Sequence, residues 1–79
     1  MINSYDLRRL RTLKRLNSLI PLIKQLIWTH EYCFELTDDY LTIYTGGHSD
    51  NEEIVYALSK NKNIVTDEDE RGNLRIILK

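Results

Sequence analysis

The sequence has few of the residues that covalent staples and catalytic loops require. Cys33 is the only cysteine among 79 residues, so an internal disulfide is excluded and a reducing, cytoplasmic setting is expected. The sequence has one proline and three glycines. It contains no glycine-rich phosphate-binding loop, no G-x-S-x-G motif and no H-E-x-x-H motif. We therefore expect a protein that is not an enzyme and holds no cofactor.

Two partial metal motifs are present, and both are incomplete. His30 and Cys33 have the spacing of half a zinc site, but a closed structural site needs four ligands. Residues 67–72 resemble the start of a calcium-binding EF-hand loop. That resemblance fails at Arg71 and Leu78, which stand where the loop needs a fifth-position ligand and a bidentate glutamate. We expect no metal ligands and a solvated loop at 67–72.

No apolar run is long enough to cross a membrane. Residues 19–28 are mostly apolar but include Pro21, Lys24 and Gln25, and a spanning helix needs about 20 apolar residues. The early basic residues alternate with leucines and do not precede the apolar stretch of an export signal. The expected partners therefore exclude a membrane.

Charge is divided unevenly along what we expect to be a single small domain, residues 1–79. Residues 1–30 form a basic helical half with six Lys or Arg and one acid. Residues 31–79 form an acidic half with five Lys or Arg and eleven Asp or Glu. Such asymmetry indicates a charged partner. The other interpretation is that the two halves neutralise each other across the fold.

Residues 7–28 show apolar side chains at spacings of three and four, which is typical of helix. Asn3 or Ser4 can cap its start. Because Pro21 disfavours an undisturbed helix, we expect either two helices, about 4–16 and 18–30 with Ser18 as the second cap, or one helix kinked near Asn17. The second part is apolar over an unusually wide arc, which predicts a homodimer. The predicted oligomer interface consists of Leu19, Leu22, Leu26, Ile27 and Trp28.

Residues 32–45 alternate as a hairpin around Asp38-Asp39. A two-residue loop pairs Leu36 with Leu41 and Phe34 with Ile43, so we expect these four side chains to share one buried face. The opposite face carries two tyrosines that could stack on bases, Tyr40 and Tyr44.

The remaining chain predicts a helix followed by a second hairpin. Residues 49–52 read as a capping box with Ser49 as the cap, opening a helix over about 50–61 that stops near Asn61 and Asn63. Its buried residues are expected to be Ile54, Val55, Ala57 and Leu58. Strands at 64–66 and 74–78 then flank the 67–72 loop. The predicted fold is α+β, in the order α(α)ββαββ, with a four-stranded antiparallel sheet and helices packed on one face.

The basic run in the first helix is the strongest functional feature. The predicted partner-binding residues are Arg8, Arg9, Arg11, Lys14 and Arg15. Arg8, Arg11 and Arg15 are expected to line one helical stripe facing an external anion, unless they pair internally with Glu52, Glu53 or residues 67–70. We expect a protein–protein interaction module, of the kind that small bacteriophage inhibitors use to block a host or defence protein. The alternative is a nucleic-acid-binding protein that uses this helix.

Overall fold

A computed structural model describes residues 2–79 as an α+β fold built on a four-stranded antiparallel sheet. The helices are α1 (Ser4–Thr12), α2 (Leu16–Leu26), α3 (His30–Cys33) and α4 (Ser49–Ser59), and the strands are β1 (Phe34–Leu36), β2 (Tyr40–Ile43), β3 (Thr66–Glu68) and β4 (Leu74–Ile77). The strands lie in the order β1-β2-β4-β3. The predicted fold class and element order are confirmed, with the short α3 added.

The first helix begins as expected and ends four residues early. Asn3 caps it, since its Oδ1 accepts the Asp6 backbone N–H at 2.8 Å. At the other end, the Asn61 amide donates to the carbonyls of Leu10 and Leu13 at 2.9 and 3.0 Å. These bonds satisfy carbonyls that a helix end leaves unpaired, so α1 can stop at Thr12. The break therefore lies at residues 13–15.

Neither Pro21 nor Ser18 has the predicted role in the second helix. Arg15 is the N-cap residue of α2. Its backbone is extended, and its side chain makes no capping hydrogen bond. Ser18 lies inside α2, and Pro21 is its sixth residue. Pro21 removes only the bond to the Asn17 carbonyl, which lies on an exposed residue. The expected kink near Asn17 and the Ser18 cap are therefore wrong.

The first hairpin has the predicted register and one wrongly predicted side chain. Phe34 pairs with Ile43, and Leu36 pairs with Leu41. Leu41 and Ile43 are fully buried and Phe34 is partly buried, but Leu36 is 51% exposed because it ends an edge strand. The residues predicted to begin the strand, 32 and 33, instead belong to α3.

The fourth helix is capped one residue earlier than predicted. His48, not Ser49, is the cap, and its Nδ1 accepts the Asp50 backbone N–H at 3.3 Å. Along the helix, Ile54, Ala57 and Leu58 are buried as predicted, while Val55 is only partly buried. The helix therefore contributes the expected apolar side to the core.

The second hairpin is shifted toward its turn. The first strand runs over 66–68, not 64–66, and Thr66 pairs with Ile76. The Asp69 carboxylate accepts the backbone N–H groups of Arg71 and Asn73, each at 2.9 Å, and the Asn73 side-chain amide at 3.0 Å. These bonds, with Asn73 contributing most, lower the pKa of Asp69. The loop thus spans 69–73.

One apolar cluster joins the sheet to the four described helices. Leu41, Ile43, Leu74 and Ile76 lie on one face of β2 and β4 by strand alternation and share this cluster with buried residues of α1, α2, α3 and α4. The helical contributors are Leu10, Leu19, Leu22, Ile23, Cys33, Ile54, Ala57 and Leu58. That all helices pack on one face of the sheet stays a prediction.

Candidate functional site

Four of the five predicted partner-binding residues form an unpaired basic cluster at the end of α1 and in the following turn. The basic cluster is Arg8, Arg11, Lys14 and Arg15; all are exposed, and within residues 2–79 none of their side chains makes an ion pair or hydrogen bond. Arg9 differs, since its guanidinium lies 3.4 Å from the Asp6 carboxylate and 5.5 Å from the Tyr5 ring centroid.

The basic cluster is not the predicted helical stripe. Arg8 and Arg11 lie on α1, whereas Arg15 follows the break and precedes α2. A single 3.6-residue period therefore does not align all three. The arrangement also lacks the internal alternative, because no side chain of the cluster pairs with Glu52, Glu53 or the 67–70 segment.

A groove of about 600 Å³ lies beside the basic cluster, between α1 and α4. Its apolar lining comes from Leu7, Ala57 and Tyr56, and its polar lining comes from Arg11, Ser49, Asp50, Glu52 and Glu53. The groove forms because α1 packs along α4, whose N-terminal part carries the acids. The side chains of Glu52 and Glu53 make no ion pair or hydrogen bond within residues 2–79. Arg11 thus borders the same open groove as Glu52 and Glu53 and, within residues 2–79, makes no ion pair with either.

The predicted oligomer interface is mostly part of the chain's own core. Leu19, Leu22 and Ile27 are buried, and Leu26 is partly buried against the same cluster. Trp28 alone is largely exposed. The sheet, α1 and α4 share one buried cluster with those three residues, so the chain itself covers them. Self-association itself stays a prediction.

Tyr40 and Tyr44, the two tyrosines predicted to stack on bases, each contact a charged side chain of the sheet. Arg75 donates two hydrogen bonds to the Asp67 carboxylate, at 2.8 and 2.7 Å, and lies 4.3 Å from the Tyr40 ring centroid. Tyr44 donates its hydroxyl to Glu35 at 2.6 Å, and that bond is the main reason its pKa is raised. Base stacking on Tyr40 would thus compete with a paired guanidinium.

The Cys33 thiol and the His48 imidazole pack against neighbouring residues of the fold. Cys33 is buried, next to Gly46, and the His48 ring stacks on Trp28 with centroids 4.5 Å apart and planes 2° apart. In residues 2–79 no group of three His, Cys, Asp or Glu side chains is placed to hold a metal ion. His30 and Cys33 therefore owe their spacing to the short helix α3, and within residues 2–79 no further metal ligands lie around them.

Sequence reasoning missed two buried asparagines and the groove. Asn51 bonds both backbone groups of Trp28 and the carbonyl of Thr45, and Asn61 holds the end of α1. Asn61 was expected only to stop a helix, and Asn51 reads as an ordinary first-turn residue. The one available signal was that both recur on the apolar side of α4 or directly after it. The groove depends on how α1 crosses α4, which no local pattern specifies.

Searches of protein-family models, curated proteins and solved structures find no match to this chain. Within residues 2–79, each helix is too short or too polar to cross a bilayer.

Proposed function

We propose that the chain is a non-enzymatic protein–protein interaction module that binds an acidic surface of a partner protein through the basic cluster. The supporting observation is that Arg8, Arg11, Lys14 and Arg15 are exposed and unpaired across residues 2–79, although the chain contains twelve acidic residues. Neighbouring like charges on a helix repel one another by some tenths of a kcal/mol per pair. An external anionic partner would relieve that repulsion.

A protein fits this site better than a nucleic acid does. Glu52 and Glu53 line the wall across the groove from Arg11, so a row of phosphates along α1 would approach two uncompensated carboxylates. A protein surface can instead place acids on the cluster and other groups beside the groove. Arginine and tyrosine are enriched at such interfaces. The module would act by occupying its partner's surface.

The experiment combines partner capture with a matched pair of charge variants. The tagged chain is used to capture partners from a lysate of its source cells, with and without nuclease, and the captured protein is then titrated with both variants. The test variant is Arg8→Gln, Arg11→Gln and Arg15→Gln. The control, Lys24→Gln, Lys62→Gln and Arg71→Gln, removes equal charge from exposed, unpaired side chains elsewhere.

We expect the test variant to melt at or slightly above the temperature of the unmodified chain, because it loses repulsion and no ion pair. Binding should fall at least tenfold, which equals 1.4 kcal/mol, while the control should stay within about twofold. If both variants bind equally well, the basic cluster is not the interface. Capture that disappears with nuclease and a steep loss of affinity with salt would instead establish the nucleic-acid alternative.

A further inference from the structure

The α1–α4 groove has the size and lining of a binding site, and Arg11 is the member of the basic cluster that lines it. Its volume of about 600 Å³ lies within the roughly 300–1,000 Å³ typical of sites that enclose ligand groups. Leu7 and Ala57 supply apolar surface where the two helices meet, and the exposed Tyr56 ring forms an aromatic wall. Large exposed aromatic side chains of this kind often carry interface affinity.

The charge around the groove selects a cationic occupant. Among the described residues that line it, Glu52 and Glu53 are two carboxylates without a partner, and Arg11 supplies a single guanidinium. The N-terminus of α4 contributes roughly half a positive charge, which weakens the negative potential without reversing it. An acidic peptide, a phosphate or an anionic membrane surface would therefore be repelled. Glu52 and Glu53 are the carboxylates available to a ligand, because both lack partners within residues 2–79.

Tyr56 offers a second contact suited to a cation. The Lys60 ammonium lies 5.2 Å from the centroid of the Tyr56 ring, so the face of this ring already attracts one positive charge. An incoming lysine or arginine can displace Lys60 from this ring, because both Lys60 and Tyr56 are exposed. Apolar contact with Leu7 and Ala57 would then accompany charge contact with the α4 carboxylates.

We propose that the groove binds a basic amphipathic segment of a partner protein. An apolar side chain of that segment lies against Leu7 and Ala57, and its lysines or arginines meet Glu52, Glu53 and the Tyr56 ring. A partner that also binds the basic cluster would carry acids there and bases at the groove. The groove site does not depend on the basic cluster, and it is tested separately.

The probe is a synthetic helical peptide of leucine and lysine, about 14 residues long and with its leucines on one face. The control peptide replaces every lysine by glutamate. Amide chemical-shift mapping on the labelled chain locates each peptide, and calorimetry measures its affinity. The test variant is Glu52→Gln with Glu53→Gln, and the matched control is Glu68→Gln with Glu70→Gln, which removes the same charge from exposed residues of β3 and its loop. Tyr56→Ala is a second test variant on an exposed side chain.

The leucine–lysine peptide should shift amides of α1 and α4 around the groove, and the leucine–glutamate peptide should not. Glu52→Gln with Glu53→Gln and Tyr56→Ala should each weaken binding by about fivefold or more, whereas the control should change it less than about twofold. Thermal melts confirm that every variant is folded. Equal weakening by both double variants would show non-specific attraction and overturn the site. Chemical-shift changes outside the groove would also overturn the site. Changes in the groove that depend on the concentration of the chain itself would do the same, because they would show that a second copy of the chain is the occupant.

Discussion

Replacing Asn51 by alanine tests the buried polar contact that joins α4 to the end of α2. The Asn51 side chain is 0% exposed; its Oδ1 accepts the Trp28 N–H at 2.8 Å, and its Nδ2 donates to the carbonyls of Trp28 and Thr45 at 3.2 and 3.3 Å. Alanine would remove these three hydrogen bonds from partly buried backbone groups. At roughly 1 kcal/mol net for each hydrogen bond, the expected loss is about 3 kcal/mol.

That loss is large for a domain of this size. A stability of roughly 0.05–0.15 kcal/mol per residue gives 79 residues about 4–12 kcal/mol. Asn51→Ala should therefore shift the unfolding midpoint clearly to lower denaturant. Asn51→Asp should destabilise at least as much, because it keeps the acceptor for Trp28 N–H but sets a buried carboxylate against two carbonyls.

Urea unfolding followed by circular dichroism and by Trp28 fluorescence measures both variants, since Trp28 is the only tryptophan. The control is Asn17→Ala, an exposed asparagine of α2 whose side chain makes no hydrogen bond within residues 2–79. It should be neutral or slightly stabilising, given the helix propensity of alanine. A loss below about 0.5 kcal/mol for Asn51→Ala, at unchanged denaturant dependence, would refute the reasoning.

Three further outcomes are expected. Phe34→Ala should cost about 2 kcal/mol in urea unfolding, below the 3–5 kcal/mol of a core phenylalanine, because Phe34 is only partly buried. The Arg75 hydrogen bonds lower the pKa of Asp67, so this pair stabilises the fold above the ordinary aspartate range near about pH 4 and loses that contribution as pH falls through the lowered value. In thermal melts recorded at a series of pH values, Asp67→Asn should reduce the loss of stability at acid pH. Light scattering should find a dimer that Leu26→Glu dissociates, whereas Ile27→Glu should unfold the buried core; a monomer at tens of micromolar would remove self-association.

Local patterns predicted the elements and one register well. Strand alternation around Asp38-Asp39 was enough to place Phe34 opposite Ile43, since a one-residue slip would have reversed every face. Alternation does not reveal where a sheet ends. It therefore predicts a buried Leu36, whereas this residue lies on an edge strand and is exposed. Residue pattern likewise indicated helix across the N-terminal third, but not its boundaries.

The break in that helical region was assigned to Pro21 because proline is the strongest local signal. The carbonyls at the end of α1 are instead satisfied by Asn61 and Asn63, which follow them by about fifty residues. Such distant partners are invisible in a sequence window. The same limit applies to the candidate site: the basic residues were identifiable from sequence, whereas their lack of partners and the neighbouring groove depend on tertiary packing.

The link between α1 and the residues after α4 bears on when this chain can fold. The Asn63 side chain reaches Thr12 across 51 positions, and β4, which follows all other elements, lies inside the sheet between β2 and β3. During synthesis α4 can cover part of α1 before β4 exists, but the sheet that completes the core cannot form until residues 74–77 have been made. Contacts this distant in sequence slow folding, because long loops must close first. The nascent chain would be exposed to aggregation and to chaperones until its central strand arrives.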